Sequence, residues 1–138
     1  MEALLKNLKN NTYCIIDRSD ISGVGVFAIR VIPKGIDPFV LTDGKSKQYY
    51  IIEMSKKDLK GVPKSVMNLL DKYFLIDDGE DYPIIYNGLN DMDISFYINH
   101  SDTPNLESVE RDDNDLLEFR TIRKIKKGEE LLLNYNAI

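Results

Sequence analysis

The sequence predicts a mainly β fold with one substantial helix. Three observations carry this: short β-type runs bounded by turn residues fill the first half, one later stretch has helical periodicity, and a hairpin and a final strand follow. The 138 residues, 43% of them hydrophobic, suit a single domain over 1–138 with one core. Charged residues make up 30% and no apolar run approaches a membrane span, so a soluble globular chain with no membrane partner is expected.

Thr12 to Asp17, Val24 to Val31, Pro38 to Thr42 and Gln48 to Glu53 read as strands, punctuated by Ser22-Gly23, Pro33-Lys34-Gly35 and Asp43-Gly44. From Pro63 to Phe74, Val66, Leu69, Leu70, Tyr73 and Phe74 recur at helical spacing, an apolar stripe suited to core packing, with Pro63 fit for a first turn. The acidic segment Asp77 to Asp81 reads as a solvated turn. Pro83 to Tyr86 and Ile94 to Asn99 follow as strands. Leu106 to Glu110 and Leu116 to Ile122 make a hairpin joined by Arg111 to Asp115, and Leu131 to Tyr135 is the last strand. Arg30-Val31-Ile32-Pro33-Lys34-Gly35 echoes Arg123-Lys124-Ile125-Lys126-Lys127-Gly128, which marks two similar strand starts and no repeat architecture.

Cys14 is the sole cysteine and His100 the sole histidine, so an intrachain disulfide, a cysteine-based zinc site and a multi-histidine metal centre are all excluded. In the run Tyr13-Cys14-Ile15-Ile16 the thiol reads as a small buried hydrophobe in a reducing, intracellular setting. Met1 to Asn10, with Leu4, Leu5 and Leu8, lacks the long apolar stretch and cleavage site of a signal peptide. A net charge of −5 argues against direct nucleic-acid binding. It suits a basic peptide, and solubility alone accounts for it equally well.

Three segments carry the candidate chemistry. Gly23-Val24-Gly25-Val26-Phe27-Ala28 puts two glycines before an apolar strand, where close backbone approach can hold a ligand and where a plain turn is the simpler account. The third glycine and following helix of a dinucleotide fingerprint are missing. In Phe96-Tyr97-Ile98-Asn99-His100-Ser101-Asp102-Thr103-Pro104-Asn105 an apolar strand end runs into several specific hydrogen-bonding side chains. Ser101 lacks the glycine-framed elbow of a serine triad. Ile125 to Tyr135 enters a buried strand from a lysine-rich turn. Within it Glu129 and Glu130, as strand neighbours, should point to opposite faces, which favours a structural or surface role over a facing catalytic pair.

In this order and spacing the three segments resemble the Gly-x-Gly strand, the Asn-His-Ser motif and the Gly-Glu-Glu-Leu...Tyr motif of the SET-domain protein lysine methyltransferases, in a minimal form without a cysteine-rich C-terminal segment. The resemblance covers about residues 12 to 136, with a variable helix-containing insert at about 37–88. It implies small β-sheets with a C-terminal segment threaded beneath the loop near Asn99 and His100. It implies S-adenosyl-L-methionine as cofactor, held by the backbone of Gly23, Val24 and Gly25 and by Asn99 and His100. Tyr135 would be the catalytic tyrosine, Tyr97 and Leu133 would line the substrate channel, and no metal would take part. The substrate would be a lysine in a protein or peptide, histone-like substrates included. Such chemistry needs a neutral lysine amine held in line with an electrophilic methyl, which a tyrosine hydroxyl and nearby carbonyl oxygens can provide.

Two departures bear on the resemblance. Leu133 stands where the family often has Phe or Tyr, and Ile138 follows Tyr135 by three residues where many members continue with a segment that completes the pocket. A second copy of the chain in a homodimer, the insert, or bound substrate would then complete it. The competing reading is a non-catalytic SET-like module that binds a protein segment, and a third is an unrelated β-rich binding protein. The joint presence of Asn99, His100 and Tyr135 favours the enzyme.

Overall fold

The computed structural model describes residues 1–74, 81–111 and 114–137. In chain order its elements are α1 (Glu2–Asn10), β1 (Cys14–Arg18), β2 (Val24–Ala28), β3 (Ile51–Ser55), α2 (Lys64–Tyr73), β4 (Asp81–Ile85), β5 (Asn99–His100), β6 (Leu106–Arg111), β7 (Asn114–Thr121) and β8 (Glu130–Leu133), with short 3-10 turns at Leu89–Asp91, Ile94–Tyr97 and Tyr135–Ala137. Strands dominate, as the sequence predicts. The acidic turn expected from Asp77 lies outside the described residues up to Asp81, which opens β4. The chain forms two compact units, Met1–Gln48 with Asp93–Ile138, and Tyr49–Met92.

The first unit holds a four-stranded sheet in the order β1-β2-β8-β5. β2 pairs antiparallel with β1 and with β8, while β8 pairs parallel with β5, Asn99 opposite Leu132 and His100 opposite Leu133. Alternation sets the inward face: Val26 and Ala28 of β2 and Leu131 and Leu133 of β8 join Tyr13, Ile32, Ile98, Leu106 and Ile125 in one core. Burying each of the larger aliphatic side chains is worth about 1.5–3 kcal/mol. β6 and β7 form a separate antiparallel pair, the expected hairpin, with a register irregularity at Glu110/Arg111.

The two echoing segments meet each other. Ile32 and Ile125, both fully buried, exchange N–H···O bonds of 2.9 Å in each direction. The Gly35 N–H donates to Thr121 O at 2.9 Å and, correspondingly, the Gly128 N–H donates to Ala28 O at 2.8 Å. Thr121 N donates to Ile36 O just as Ala28 N donates to Glu129 O. The sequence echo is thus a local two-fold pairing, and it sets the approach of β8 to β2.

The second unit contains the antiparallel β3–β4 pair and α2. Its buried residues include Leu59, Leu70, Phe74, Tyr82, Ile84 and Ile85, and the Tyr82 hydroxyl donates to Asp71 at 2.6 Å. Pro63 precedes the helix instead of occupying its first turn, and its carbonyl accepts the N–H groups of Val66 and Met67. Leu69, expected in the core stripe, is exposed.

Four further expectations differ. A second helix, α1, occupies the N-terminus, with Glu2 in its first turn and Lys9 in its last, each complementing the helix dipole. Its leucines are exposed, so no buried stripe marks it. Pro38 to Thr42 is no strand, because the Asp37 carboxylate accepts the Phe39 N–H at 2.8 Å and Leu41 N bonds to Lys45 O, closing turns. Ile94 to Tyr97 coils into a 3-10 turn, since Asp93 Oδ1 accepts the Ser95 N–H at 2.9 Å, and only Asn99–His100 remains strand. Tyr135 lies beyond the last strand, in a 3-10 turn.

Cys14 packs half-buried against the core. Burial first, and the Asp37 carboxylate second, push its thiol from an ordinary 9.0 up to about 12. The folded form therefore holds its proton to higher pH than the unfolded form, and the stability this contributes below pH 9 is lost as pH rises toward 12. Alkylation of the native protein by iodoacetamide at pH 8 should be about 1,000-fold slower than in denaturant, following the thiolate fraction. Equal rates would show the thiol to be accessible and ionised.

Candidate active site

The strand β8 brings the three motif segments together. With β2 on one side and β5 on the other, it is also bonded by the loop that follows β5: Ser101 N donates to Leu133 O at 3.0 Å and Asn105 N to Leu132 O at 3.1 Å. The buried Asn105 side chain adds two bonds, Nδ2 to Glu130 O and Oδ1 from Leu132 N, both 2.8 Å. A primary amide offers one donor and one acceptor at the spacing of a strand's own backbone groups, so it serves β8 in place of another strand. The 101–105 loop is thereby fastened to β8, just before the C-terminal turn.

The two glycines of the first motif act in different ways. Gly23 has φ +47 with open space where a Cβ would stand, a turn conformation that L side chains rarely adopt. At Gly25 the constraint is space: an ideal Cβ would lie 2.3 Å from Glu130 Oε2 and 3.0 Å from Asn99 Nδ2, so a side chain there would displace the Glu130 carboxylate. Asn99 Nδ2 donates to Glu130 Oε2 at 2.8 Å and to Val24 O at 3.0 Å, with Ser19 Oγ at 3.1 Å. Ser19, itself buried, donates to Glu130 Oε1 at 2.8 Å and accepts the Ile21 N–H at 3.1 Å. Asn99 thus fastens β5 to β2 and β8 through its nitrogen, and its Oδ1 has no hydrogen-bond partner among the described residues.

His100 and Tyr135 form the other side. The Tyr135 N–H donates to His100 Nδ1 at 3.0 Å, which leaves His100 Nε2 as the donor to Asp102 Oδ1 at 3.2 Å. The two rings lie 5.2 Å apart, tilted by 58°. The Tyr135 hydroxyl donates to the carbonyl of Ile98, so a phenol and a backbone oxygen converge next to Asn99. Tyr135 is half exposed. Leu133 is 5% exposed and belongs to the core, and Tyr97 packs half-buried against the same cluster.

Glu129 and Glu130 take separate partners, as their alternation implies. Glu129 bonds to Arg123 at 3.0 Å and to the Lys126 N–H at 2.8 Å, which together hold its carboxyl below the usual carboxylate range, Arg123 first. Ser19 carries no sequence signal, since a serine in a loop is unremarkable until the chain folds over it. For Asn105 the signal was its place at the end of the second motif, after Pro104.

The model of the SET domain family matches residues 23–136. Among solved structures, the chain is similar to a candidate histone methyltransferase of Plasmodium falciparum, with a TM-score of 0.52 at 18% identity over 90% of this chain and 93% of that one, a likeness of fold. It is also similar to a humanized mutant of the Chaetomium thermophilum Polycomb Repressive Complex 2 bound to the inhibitor GSK126, with a TM-score of 0.51 at 26% identity over 89% of this chain and 14% of that one. A comparison with the curated proteins finds no match.

Proposed function

The chain belongs to the SET-domain family, and from that premise we propose that it transfers the methyl group of S-adenosyl-L-methionine to the ε-amine of a lysine in a protein substrate. The observation that carries this reading is the meeting of the Tyr135 hydroxyl with the Ile98 carbonyl, one residue from Asn99 and with the Tyr135 backbone held by His100.

The residues fit the donor. Asn99 Oδ1 is an unused acceptor among the described residues, and it is not fully buried, because no buried side-chain polar atom of those residues lacks a partner. Gly23 leaves open space beside its Cα. Gly23, Val24, Gly25, Asn99 and His100 would hold the donor, which supplies a sulfonium methyl that is already electrophilic. Tyr135 and the Ile98 carbonyl would orient the lysine amine, two oxygen atoms fixed before the substrate arrives and costing no reorganisation during transfer. A net charge of −5 is compatible with lysine-rich, histone-like substrates, as it is with solubility alone.

The test is transfer of labelled methyl from S-adenosyl-L-methionine to a panel of basic proteins, followed by mapping of the modified residue. Label on a lysine side chain is expected, as is stabilisation by donor of about 2.7 kcal/mol at 100 times Kd. Stabilisation without transfer to any of the panel would favour a non-catalytic SET-like binding module. Neither stabilisation nor transfer would overturn the reading.

A further inference from the structure

We propose that Glu130 is a positioning residue that fixes the polarity of the donor pocket: by accepting the Asn99 N–H, its carboxylate holds the Asn99 amide with Oδ1 outward, as an acceptor selective for the ammonium of the donor's amino-acid end. This rests on the reading of the site as a methyl-donor pocket.

A side-chain amide can be presented in two ways that differ by exchange of its oxygen and nitrogen, and its neighbours decide between them. The neighbours of Asn99 Nδ2 are all oxygens: Glu130 Oε2 at 2.8 Å, Val24 O at 3.0 Å, Ser19 Oγ at 3.1 Å and Ser22 O at 3.5 Å. Turning the amide over would press its oxygen against a carboxylate and a carbonyl, two lone-pair repulsions in place of two hydrogen bonds. Of these neighbours Glu130 is closest and carries the charge, so its bond is the strongest.

The carboxylate is itself held. Ser19 Oγ lies 2.8 and 3.0 Å from its two oxygens, and the volume it fills exists because residue 25 has no side chain. Glu130 is turned toward Ser19 and Asn99, so its effect on the donor would pass through Asn99, whose outward oxygen attracts an ammonium and repels a carboxylate.

The experiment measures calorimetric affinity for S-adenosyl-L-methionine and for an analogue lacking the α-amino group. Wild type is compared with Glu130→Met, Glu130→Gln, Asn99→Ala and the Glu130→Met/Asn99→Ala double variant. Glu130→Met, similar in length but without a strong acceptor, should lose about tenfold for the donor and little for the analogue. Glu130→Gln should stay within about threefold, since its Oε1 can still accept the Asn99 N–H. Glu130→Met should add nothing in the Asn99→Ala background. A loss equal for both ligands, or additive with Asn99→Ala, would mean that Glu130 only supports the fold and would overturn the inference. Should Glu130→Met not fold, Asn99→Ala carries the test on the same affinity ratio: it should weaken binding of the donor and spare the analogue, and an unchanged ratio overturns the inference. A wild type that binds neither ligand overturns the donor-pocket reading along with it.

Discussion

Tyr135→Phe is expected to lower single-turnover methyl transfer about 100- to 1,000-fold, while donor affinity changes by less than about threefold. The asymmetry follows from which atoms the substitution removes. The contact to His100 is made by the Tyr135 backbone N–H and by the face of the ring, and both survive in phenylalanine. The hydroxyl and its bond to the Ile98 carbonyl are lost. In the resting protein that bond is worth about 1 kcal/mol, so a small drop in stability is expected. In the proposed transition state the same hydroxyl and carbonyl orient the amine for in-line attack, where one well-placed group is worth about 2.7–4 kcal/mol. Single-turnover rates at saturating donor, measured beside calorimetric affinity and a urea midpoint, separate the three quantities. Unchanged turnover on the mapped lysine would remove Tyr135 from the chemistry and leave it a ring that packs against His100.

How far the sequence discloses this site depends on the range of the interactions that build it. The apolar runs of β2 and β8 are local, and both strands form there, though β2 ends at Ala28, short of Val31, and β8 at Leu133, short of Tyr135. The glycine pair is visible too, but the reason for Gly25 is a carboxylate far along the chain, and no local pattern states that Glu130 needs the space. Glu130 itself reads as half of an acidic pair on a lysine-rich turn, and only the folded register sends it to Ser19 and Asn99 while Glu129 goes to Arg123. Where short polar side chains bond their own backbone, pattern reading fails in the opposite direction. Ile94 to Tyr97 alternates like a strand, yet the Asp93–Ser95 bond coils it into a 3-10 turn, and the Asp37 carboxylate, accepting the Phe39 N–H, closes a turn in the run that begins at Pro38. The α1 helix carries Leu4, Leu5 and Leu8 at helical spacing, a short stripe that was legible in the sequence and that stays exposed in the fold. The segment echo was visible as similarity, and its meaning, that the two copies pair with each other at Ile32 and Ile125, is a property of the fold.

Asn105→Ala should destabilise the protein by about 2–5 kcal/mol, the cost of breaking a buried polar pairing. Asn105 is 1% exposed, and its amide bonds both the Glu130 carbonyl and the Leu132 N–H of β8. Alanine leaves a donor and an acceptor of the strand backbone without partners at a place water reaches poorly, each costing about 1–3 kcal/mol. Asn105→Asp separates hydrogen bonding from volume. It keeps an acceptor for the Leu132 N–H but sets a second oxygen against the Glu130 carbonyl, so it should be no better than alanine despite its matching shape. β8 carries Glu130 and leads directly to Tyr135, so loosening it should also raise hydrogen exchange at the Leu132 amide well above that of Val26 in the neighbouring β2. Urea midpoints for both variants, with exchange read residue by residue, provide the check. A loss below about 1 kcal/mol in Asn105→Ala, with the Leu132 amide as protected as before, would mean that β8 is held by its strand partners alone and that the Asn105 amide is dispensable.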